Sequence, residues 1–546
     1  MSITPEQTLL QSYNMLTLQD PNDILDNLGN HKAQELSPDL INVDTGIKNV
    51  KAKYQEETSV QSTREQFANS MGISADFVVF SGSVQNNFES DHSQKSTSFN
   101  ASCSLKIDYG STSISVTDSQ SILNLMNSGF QEALHNIYDF DSAADFVSSY
   151  GTHLIAGVGL GGTMYIAIHA DTTSVSDKKS VSTEVSAAYN GVENSVSSVV
   201  KAASTVQKEQ SGSGLTQRAA AFGGDPRIVS SFVPEKITEW ANTCDESSIN
   251  GLTKSIPVWE LANEDSKGIL KDYIYYEMLK ASIRKPRIFS EVAHIGQDMF
   301  SLSCTAQRGY KIVSGGASVT RNSHNYLMSS YPQLDSNDNI QSWEAISNTM
   351  HGDRKGGDEM TVYAIGIYDP QGFLDVSVAT GSGGNPGRGE DGAEARLLTP
   401  YVLTGGGTHS VTYEGHNKYL TASYPLMETA GWMSIIHDYA RPAEDVALTS
   451  YVIGITDTNN RLIIQNSCLE SQSSSAQDHG NQTAQGQFNI CGGGVQVDRR
   501  DGYGNIVQAS NPVPNNAWHE YNKDLAGKHS HAISTAYALW LEVENR

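Results

Sequence analysis

The residues whose types and spacing come nearest to chemistry lie in the stretch YGTHLIAGVGLGG, residues 150–162. Gly157, Gly159 and Gly162 match the G-x-G-x-x-G pattern that cradles the pyrophosphate of a dinucleotide. That pattern works when a strand precedes the glycines and a helix follows them, because the N-terminus of the helix holds the phosphates. Here a helix is predicted before the glycines, and the apolar run TMYIAIHA after them is predicted to be a strand. The order therefore argues against nucleotide binding.

His153 is the residue of this stretch that could serve as a general base. Such a base needs a nucleophile or an acidic partner, and no Ser, Cys or carboxylate is placed for that role by its spacing. A structural role in the turn from helix to strand is the favoured interpretation. Since paired catalytic carboxylates and metal-ligand spacings are also missing from the sequence, we expect no enzyme activity, no cofactor and no metal site.

Local signals predict the elements that hold this stretch. Asp141 is predicted to cap the N-terminus of a helix through AADFVSSY, and Gly151 is predicted to end that helix. Gly161 and Gly162 then interrupt the following strand, either as an ordinary bulge or as the point of a sharp bend. Both interpretations give the glycine pair a structural role.

Composition restricts the partners of the chain. The net charge of −25 argues against nucleic acid, whose phosphates attract Lys and Arg, and against simple electrostatic docking on anionic lipid. No apolar run reaches the roughly 20 residues of a membrane-spanning helix, and the N-terminal MSITPEQTLLQSYNM lacks the basic start and apolar run of a secretory signal. The cysteines are odd in number and widely spaced, so we expect free thiols rather than disulfides or a zinc site.

The stretch VSTEVSAAYNGVENSVSSVV, residues 181–200, has two incompatible periods. Its apolar residues recur at steps of three and four, which is typical of an amphipathic helix. Asn190-Gly191 is also a strong two-residue hairpin signal, and folding the chain there brings apolar residues onto one face of a hairpin. That face holds Val175, Val181, Val185, Tyr189, Val192, Val196, Val200 and Val206. The two interpretations are a pair of Ser/Val-rich surface helices and a segment that changes structure.

Residues 150–162 closely resemble the signature of the membrane attack complex/perforin (MACPF) superfamily. The match consists of an aromatic residue, Gly, Thr and His, followed at a set distance by a glycine pair: Tyr150, Gly151, Thr152, His153, Gly161 and Gly162. Leu154 stands where the family has Phe or Tyr, which loosens one packing contact. AFGGDPRIV at 221–229 and SIPVWELA at 255–262 are similar to the closing part of that domain, so the resemblance covers residues 1 to about 290.

The resemblance implies an α+β domain over residues 1–290, with a bent antiparallel sheet of four strands and two clusters of short helices. In this family each cluster unfurls into a membrane-spanning β-hairpin on assembly. The second cluster corresponds to residues 170–212, whose double period then means helices before assembly and a hairpin in the pore. Strands cross a bilayer only in a closed barrel, and the strands of one chain are too few to close one, so the resemblance implies a homo-oligomer.

The first cluster is expected just before the signature. Strict alternation of apolar and polar residues over 97–109 predicts a strand there. A weaker partner face is predicted at Val78, Phe80, Val84 and Phe88, with 89–96 as the connecting loop. Helical periodicity is poor in this region, so the first cluster is predicted to be short or already extended.

The sequence after residue 296 repeats three times. Four markers recur in one order, among them the glycine clusters anchored on Gly315, Gly405 and Gly492 and the tryptophans Trp343, Trp432 and Trp518. In this alignment Cys491 takes the place of Ser314 and Thr404, as a small packing residue. Short strands without long helices cannot bury their faces alone, so residues 297–546 are predicted to form one all-β domain of three repeats around a pseudo-three-fold axis.

This layout resembles the β-prism and β-tripod targeting domains that follow MACPF modules in bacterial toxins, above all the insecticidal MACPF proteins of Gram-negative bacteria. Equivalent turns at 320–325, 413–418 and 499–504 would gather at one end of such a domain, and loops on a rigid scaffold commonly bind partners. They hold Asn322, His324, Glu414, His416, Arg500, Asp501 and Tyr503. Plain solvated turns are the alternative explanation of these residues.

The two modules together predict a pore-forming toxin, insecticidal by resemblance, that inserts into a target-cell membrane. Its surface receptor is not specified by the sequence, and a glycan is one candidate. We expect a monomer in solution, a homo-oligomer in the pore, and secretion or release from the producing cell without a recognisable signal peptide. A non-lytic adhesin that keeps the MACPF fold is the alternative function.

Overall fold

The computed structural model describes residues 4–17, 23–57, 99–170, 172, 175–189, 192–213, 215–321, 323–349, 358–383, 390–412, 418–438, 446–473, 479–499, 505–524 and 532–546. The chain divides into two compact units, Met1–Met278 and Leu279–Arg546. This division precedes the predicted limits at 290 and 297, because the strand Arg287–His294 pairs with Glu359–Tyr368 inside the second unit.

The first unit contains both strands and helices. Its strands are β1 (Gln11–Tyr13), β2 (Gly29–Asn30), β3 (Ile41–Glu57), β4 (Phe99–Ile114), β5 (His153–Ala170), β6 (Leu215–Phe222) and β7 (Ile249–Pro257). The described α-helices of the chain are α1 (Pro5–Thr8), α2 (Asp23–Asp26), α3 (Ser119–Asn124), α4 (Ser128–His135), α5 (Phe140–Tyr150), α6 (Val175–Tyr189), α7 (Val196–Ser213), α8 (Pro234–Ala241) and α9 (Glu264–Arg284). Single 3₁₀ turns lie at Met15–Thr17, Pro38–Leu40, Pro226–Val229, Val258–Leu261 and Met427–Thr429.

The sheet of the first unit is antiparallel and is built on β4 and β5. β4 pairs with β3 on one side and β5 on the other, while the far side of β5 pairs first with β7 and then with β6. β4 confirms the strand predicted from strict alternation, since one face of it is buried: Phe99, Ala101, Cys103, Leu105 and Ile107. Residues 78–96, where its partner face and a loop were predicted, lie outside the described residues.

Gly161 and Gly162 lie where β5 exchanges β7 for β6, opposite an irregularity in β4 between Asp108 and Gly110. Gly161 has φ +122°, and a Cβ at this position would lie 2.1 Å from the carbonyl oxygen of Ile107. Any other residue would be strained at this φ and would collide with that carbonyl. The extra residue of this irregularity is Tyr109 in β4, so the glycine pair lies opposite the bulge, where β5 changes partner strands, and the choice between bulge and bend for the pair itself stays a prediction.

Helix α5 ends at Gly151 as predicted, and this glycine has φ +76°. Its N-cap is Asp139, so the prediction of Asp141 is wrong. The Asp139 carboxylate accepts a hydrogen bond from the backbone N–H of Ser142, and the Ser142 hydroxyl accepts one from the backbone N–H of Asp139. This reciprocal capping box favours the earlier aspartate, while Asp141 lies in the first turn, where a negative charge is also favourable.

The second unit is built almost wholly from strands. These are β8 (Arg287–His294), β9 (Met299–Cys304), β10 (Tyr310–Val319), β11 (Asn325–Leu334), β12 (Ile340–Thr349), β13 (Glu359–Tyr368), β14 (Leu374–Gly383), β15 (Glu390–Arg396), β16 (Val402–Thr412), β17 (Lys418–Leu426), β18 (Gly431–Asp438), β19 (Val446–Asp457), β20 (Leu462–Gln472), β21 (His479–Gln485), β22 (Ile490–Arg499), β23 (Ile506–Val513), β24 (Ala517–Lys523) and β25 (Ala532–Asn545).

These strands form three antiparallel sheets of six strands each. The strand orders are β21-β24-β23-β10-β13-β8, β14-β19-β16-β11-β12-β9 and β15-β18-β17-β22-β25-β20. Each sheet therefore joins three strands from one stretch of the chain to three from another, with β8–β13, β14–β19 and β20–β25 as the three stretches. Because every stretch is shared between two sheets, none could complete its sheets alone.

Three buried tryptophans hold corresponding places in these stretches. Each indole N–H donates a hydrogen bond to a buried serine: Trp343 to Ser330 at 2.9 Å, Trp432 to Ser423 at 2.9 Å and Trp518 to Ser510 at 3.1 Å. Each ring also covers a glycine, since a Cβ added at Gly315, Gly406 or Gly493 would lie 2.3 Å from a ring atom. The polar atom of each indole is thus paired, and its ring packs closely against a glycine.

These contacts correct the predicted alignment of the repeats by one residue. A register shift falls just before Ser314 in β10, Gly405 in β16 and Gly492 in β22. Gly405 and Gly492 therefore correspond to Ser314 rather than to Gly315. Cys491 then corresponds to Thr404 and to Val313, all three lying at the shift itself. Alignment on the first glycine of each cluster failed because the first stretch has Ser-Gly-Gly at 314–316 where the other two have three glycines.

Candidate functional site

The stretch with two periods is helical in this structure. Its residues form α6, α7 and the connection between them, and the helix interpretation is confirmed for this state of the chain. Asn190 and Gly191, the predicted turn of the alternative hairpin, lie outside the described residues. Val175 opens α6, and its side chain lies outside the described residues as well. The hairpin form itself stays a prediction.

The apolar side of α6 and α7 packs into one core with β4, β5 and β6. The helix residues buried there are Val181, Val185, Tyr189, Val199, Ala202, Ala203 and Val206. Val192, Val196 and Val200 are partly buried against the same core. The described residues predicted to form the apolar face of a hairpin are therefore the residues that the helical form packs against the sheet or beside it.

A buried polar network fixes the end of α6. The Tyr189 hydroxyl donates to Oε1 of Gln217 at 3.0 Å, and Nε2 of Gln217 donates to the carbonyl oxygen of Ala203 in α7 at 3.1 Å. The ring of Tyr189 stacks on the ring of Tyr54 in β3, with their centroids 5.2 Å apart. Burial raises the pKa of Tyr189 well above its usual value, so the hydroxyl stays a hydrogen-bond donor.

The helices and their connection also form hydrogen bonds with β3, the edge strand of the sheet. Oε1 of Glu56 accepts hydrogen bonds from the hydroxyls of Ser182 at 2.8 Å and Ser186 at 2.7 Å, one helical turn apart on α6. The backbone N–H of Ala52 donates to Oδ1 of Asn194 in the connection between the helices, at 3.0 Å. Sequence reasoning missed these residues, because residues this far apart in the chain carry no shared local pattern.

The signature residues tie three segments together. Thr152 donates its backbone N–H to the carbonyl oxygen of Tyr13 at 2.9 Å and accepts, on its hydroxyl, the N–H of Met15 at 2.9 Å. Its own carbonyl accepts the N–H of Val258 at 3.0 Å. Tyr150 packs edge-on against Phe130, with ring centroids 5.3 Å apart. These contacts give the signature a role in holding the sheet together.

His153 is buried between aromatic rings. It stacks on Tyr13 with centroids 5.6 Å apart and meets the edge of Trp259 at 5.5 Å, while its Nδ1 lies 3.0 Å from the hydroxyl of Thr152. Burial lowers the pKa of His153 to about 3, so the ring is neutral at physiological pH. Its 3% exposure leaves no room for a substrate, and the structural interpretation of this histidine fits the geometry.

Gly162 allows a close approach of α8 to the sheet. A Cβ added here would lie 2.3 Å from the sulfur of Cys244 and 2.7 Å from the ring of Trp240. The indole N–H of Trp240 donates to the carbonyl oxygen of Gly223 at 3.0 Å. The glycine pair of the signature and the Gly-Gly of residues 223–224 therefore meet around one tryptophan.

The family of this fold follows from a comparison with known families. The family model of the MAC/Perforin domain matches residues 26–270. The chain contains a MAC/Perforin domain. Its α6 and α7 lie within the residues 170–212 that the resemblance assigned to the second helix cluster, while the described sheet of this unit has seven strands rather than the expected four.

Several solved structures are similar to the MAC/Perforin chain described here. GNIP1Aa from Chromobacterium piscinae is 14% identical, with 73% of this chain and 78% of that chain covered and a TM-score of 0.37. A protein with a MAC/Perforin domain from Bacteroides thetaiotaomicron is 11% identical, with 63% and 66% covered and a TM-score of 0.36. Astrotactin-2, a vertebrate-specific perforin-like membrane protein, is 10% identical, with 55% of each chain covered and a TM-score of 0.29. No curated protein matches the chain.

The turns predicted to bind a receptor lie mostly outside the described residues. Asn322, Glu414, His416, Arg500, Asp501 and Tyr503 belong to that part of the chain. His324 is described, and it is half-buried just before β11. The expected gathering of these turns thus falls outside the described residues, and their binding role stays a prediction.

Metal binding and helical membrane spans can be judged for the described ranges. No group of three or more His, Cys, Asp or Glu side chains within them is arranged to hold a metal ion. No helix in the same ranges is both long enough and apolar enough to cross a bilayer.

Proposed function

We propose that this chain forms membrane pores by converting α6 and α7 into a β-hairpin. The observation that carries the proposal is the double use of one set of apolar residues. In the MAC/Perforin domain described above Val181, Val185, Tyr189 and Val206 pack in the core under two helices, and on an extended hairpin these four residues alternate onto one face. A face of this kind suits contact with lipid hydrocarbon, while the intervening Ser and Glu residues suit a water-filled interior.

The energetics favour a docked state in water and an extended state in lipid. Five large helix residues are at most 7% exposed, namely Val181, Val185, Tyr189, Val199 and Val206. Burying such a side chain stabilises the folded state by about 1.5–3 kcal/mol, so exposing all five to water would cost on the order of 10 kcal/mol. Lipid would remove that cost for the four of them that lie on the apolar face of the hairpin, whereas Val199 would lie on the opposite face. The 15 residues of α6 as a strand would reach roughly 50 Å, more than the ~30 Å of a bilayer core.

The proposal requires many copies of the chain and a means of bringing them together. A barrel with an aqueous channel needs about 16 or more strands, which a single chain does not supply. With a net charge of −25, anionic lipid is a poor docking partner, so we assign docking to a surface receptor recognised by the second unit, with a glycan as one candidate. The chain then acts by assembly and not by catalysis, as a toxin released by its producing cell, and insect cells are the first targets to test.

A disulfide that pins α6 to the sheet tests the proposal. Tyr189 and the native Cys103 of β4 belong to one buried core, so Tyr189→Cys places a second thiol in that core for disulfide formation. After oxidation, confirmed by mass spectrometry, the variant should bind susceptible cells but release no dye from them. Reduction should restore leakage, which makes the reduced variant its own matched control.

The outcomes separate the competing functions. Leakage from the fully oxidised variant at the rate of the reduced one would contradict the release of α6. Cell binding without leakage by the unmodified chain, on every membrane tried, would indicate the non-lytic adhesin instead. Electron microscopy of the protein on susceptible membranes supplies the independent readout, since the proposal requires rings there.

A further inference from the structure

The edge strand β3 is occupied by the helices that the proposed function requires to leave. β3 is the terminal strand of its sheet, with β4 on its inner side. Among the described residues no strand pairs with its outer side. That side is a row of backbone donors and acceptors, which is a template for pairing with another chain. At Ala52 the row is interrupted, because Oδ1 of Asn194 takes the N–H.

Alternation along the strand places the remaining contacts on the same segment. Since the N–H of Ala52 points outward, those of Tyr54 and Glu56 do too. Tyr54 carries the stacked ring of Tyr189, and Glu56 holds both Ser182 and Ser186. The helix pair thus occupies one outward N–H of the edge, at Ala52, and holds the side chains of the next two outward positions, Tyr54 and Glu56, at the end of β3 nearest to residues 58–98.

We propose that α6, α7 and their connection form an edge lock, which keeps residues 52–56 of β3 from pairing with a second copy of this chain until the helices lift. The inference rests on the proposed function, since it presupposes that copies assemble. A second copy fits as the occupant because the same sheet has a second edge of different sequence. Among the described residues, β6 and β7 pair with no strand other than β5, so their outer sides carry no partner strand. Two unlike edges allow head-to-tail closure of a ring.

The lock couples assembly to release in both directions. An incoming strand needs the N–H of Ala52 as a donor, and Asn194 holds that donor only while the helices are docked. Pairing with a neighbour therefore favours lifted helices, and lifted helices favour pairing, because the incoming strand and Asn194 compete for the N–H of Ala52. This would keep isolated copies closed and convert contact between copies into the signal for insertion.

Two sets of substitutions weaken the lock without touching the core. Asn194→Ala removes the acceptor from an exposed connection, and the double variant Ser182→Ala/Ser186→Ala removes both donors to Glu56. Ser197→Ala in α7 is the matched control, since the described hydrogen bond of that exposed serine reaches only Ser195. Loss of one such bond should raise the rate of self-association roughly 2- to 10-fold.

The measurement is made on the full chain, first in solution without any membrane. Hydrogen exchange reports the opening of β3, and sedimentation velocity reports self-association. Both lock variants should exchange faster in peptides covering Ala52 and associate faster than the wild type and the Ser197→Ala control. Faster exchange without faster association would overturn the proposal, because the exposed edge would then not be the assembly surface. Unchanged exchange would overturn it too, because the contacts would then hold nothing closed.

A proline at position 52 distinguishes loss of the Asn194 contact from loss of the backbone donor that an incoming strand would use. Ala52→Pro removes the N–H itself, and proline is tolerated on edge strands whose N–H points outward. It should therefore associate more slowly than Asn194→Ala, because the incoming strand also loses its donor. Association as fast as that of Asn194→Ala would contradict pairing at this edge. Dye release from vesicles is scored separately: association without leakage refutes the pore while leaving the lock intact.

Discussion

The hydroxyl of Tyr189 offers a sharp test of the docked state. In the helical form this hydroxyl donates to Gln217 at 3.0 Å inside the core, and both side chains are at most 8% exposed. Tyr189→Phe leaves the ring stacked on Tyr54 and keeps the side chain apolar, but it strands the acceptor oxygen of Gln217. Leaving a buried polar atom without its partner costs about 1–3 kcal/mol. On a lipid-facing hairpin the same substitution removes no comparable bond.

The substitution should therefore raise the free energy of the docked state and leave that of the inserted state little changed. A docked state raised by about 1–2 kcal/mol lowers the barrier to release by a similar amount, which is roughly a 5- to 30-fold faster rate. The assay is the time course of dye release from vesicles prepared from susceptible cells, measured at one protein concentration. Tyr138→Phe is the matched control, because Tyr138 is 76% exposed and lies outside the helix pair.

Two results would refute this reasoning. Leakage by Tyr189→Phe at the wild-type rate, with faster hydrogen exchange in α6, would mean that undocking of this helix does not limit pore formation. Slower leakage would mean that the hydroxyl stabilises the inserted state more than the docked one. A change of the same size in Tyr138→Phe would assign the effect to surface properties of the chain.

Three further predictions concern stability. Burial raises the pKa of Glu520 to about 7, so between pH 4.5 and 7 the carboxyl of the unfolded chain loses its proton while that of the folded chain keeps it. The free energy of unfolding should therefore fall as pH rises, by about 3 kcal/mol at pH 8. Glu520→Gln should remove this fall, as measured by urea unfolding at pH 4.5 and 8. Gly161→Ala places a Cβ 2.1 Å from the carbonyl oxygen of Ile107, so its free energy of unfolding should fall by about 1–3 kcal/mol or more, measured by denaturant titration. Ser423→Ala leaves the buried indole N–H of Trp432 unpaired and should cost about 1–3 kcal/mol by the same titration, with an unchanged midpoint refuting the role of this bond.

Sequence alone predicted the elements whose signals are local. Alternation over 97–109 depends on neighbouring residues only, and strand β4 buries the face that it predicted. Gly151 ends its helix because a positive φ is available to glycine, and Gly161 adopts a positive φ inside β5. Local signals failed where two nearby residues offer the same chemistry, as with Asp139 and Asp141, or where one stretch has two glycines and the others have three, as with Ser314.

Tertiary structure decided the state of residues 175–213. Their sequence supports a helical and an extended period at once, so local preference could not choose between them. The helical form is selected because the sheet of the first unit offers an apolar surface for one side of both helices, and because β3 supplies Glu56 and the N–H of Ala52 as distant partners. The proposed function requires this choice to be reversible: once the contacts with the sheet are lost, the extended period of the same residues becomes available.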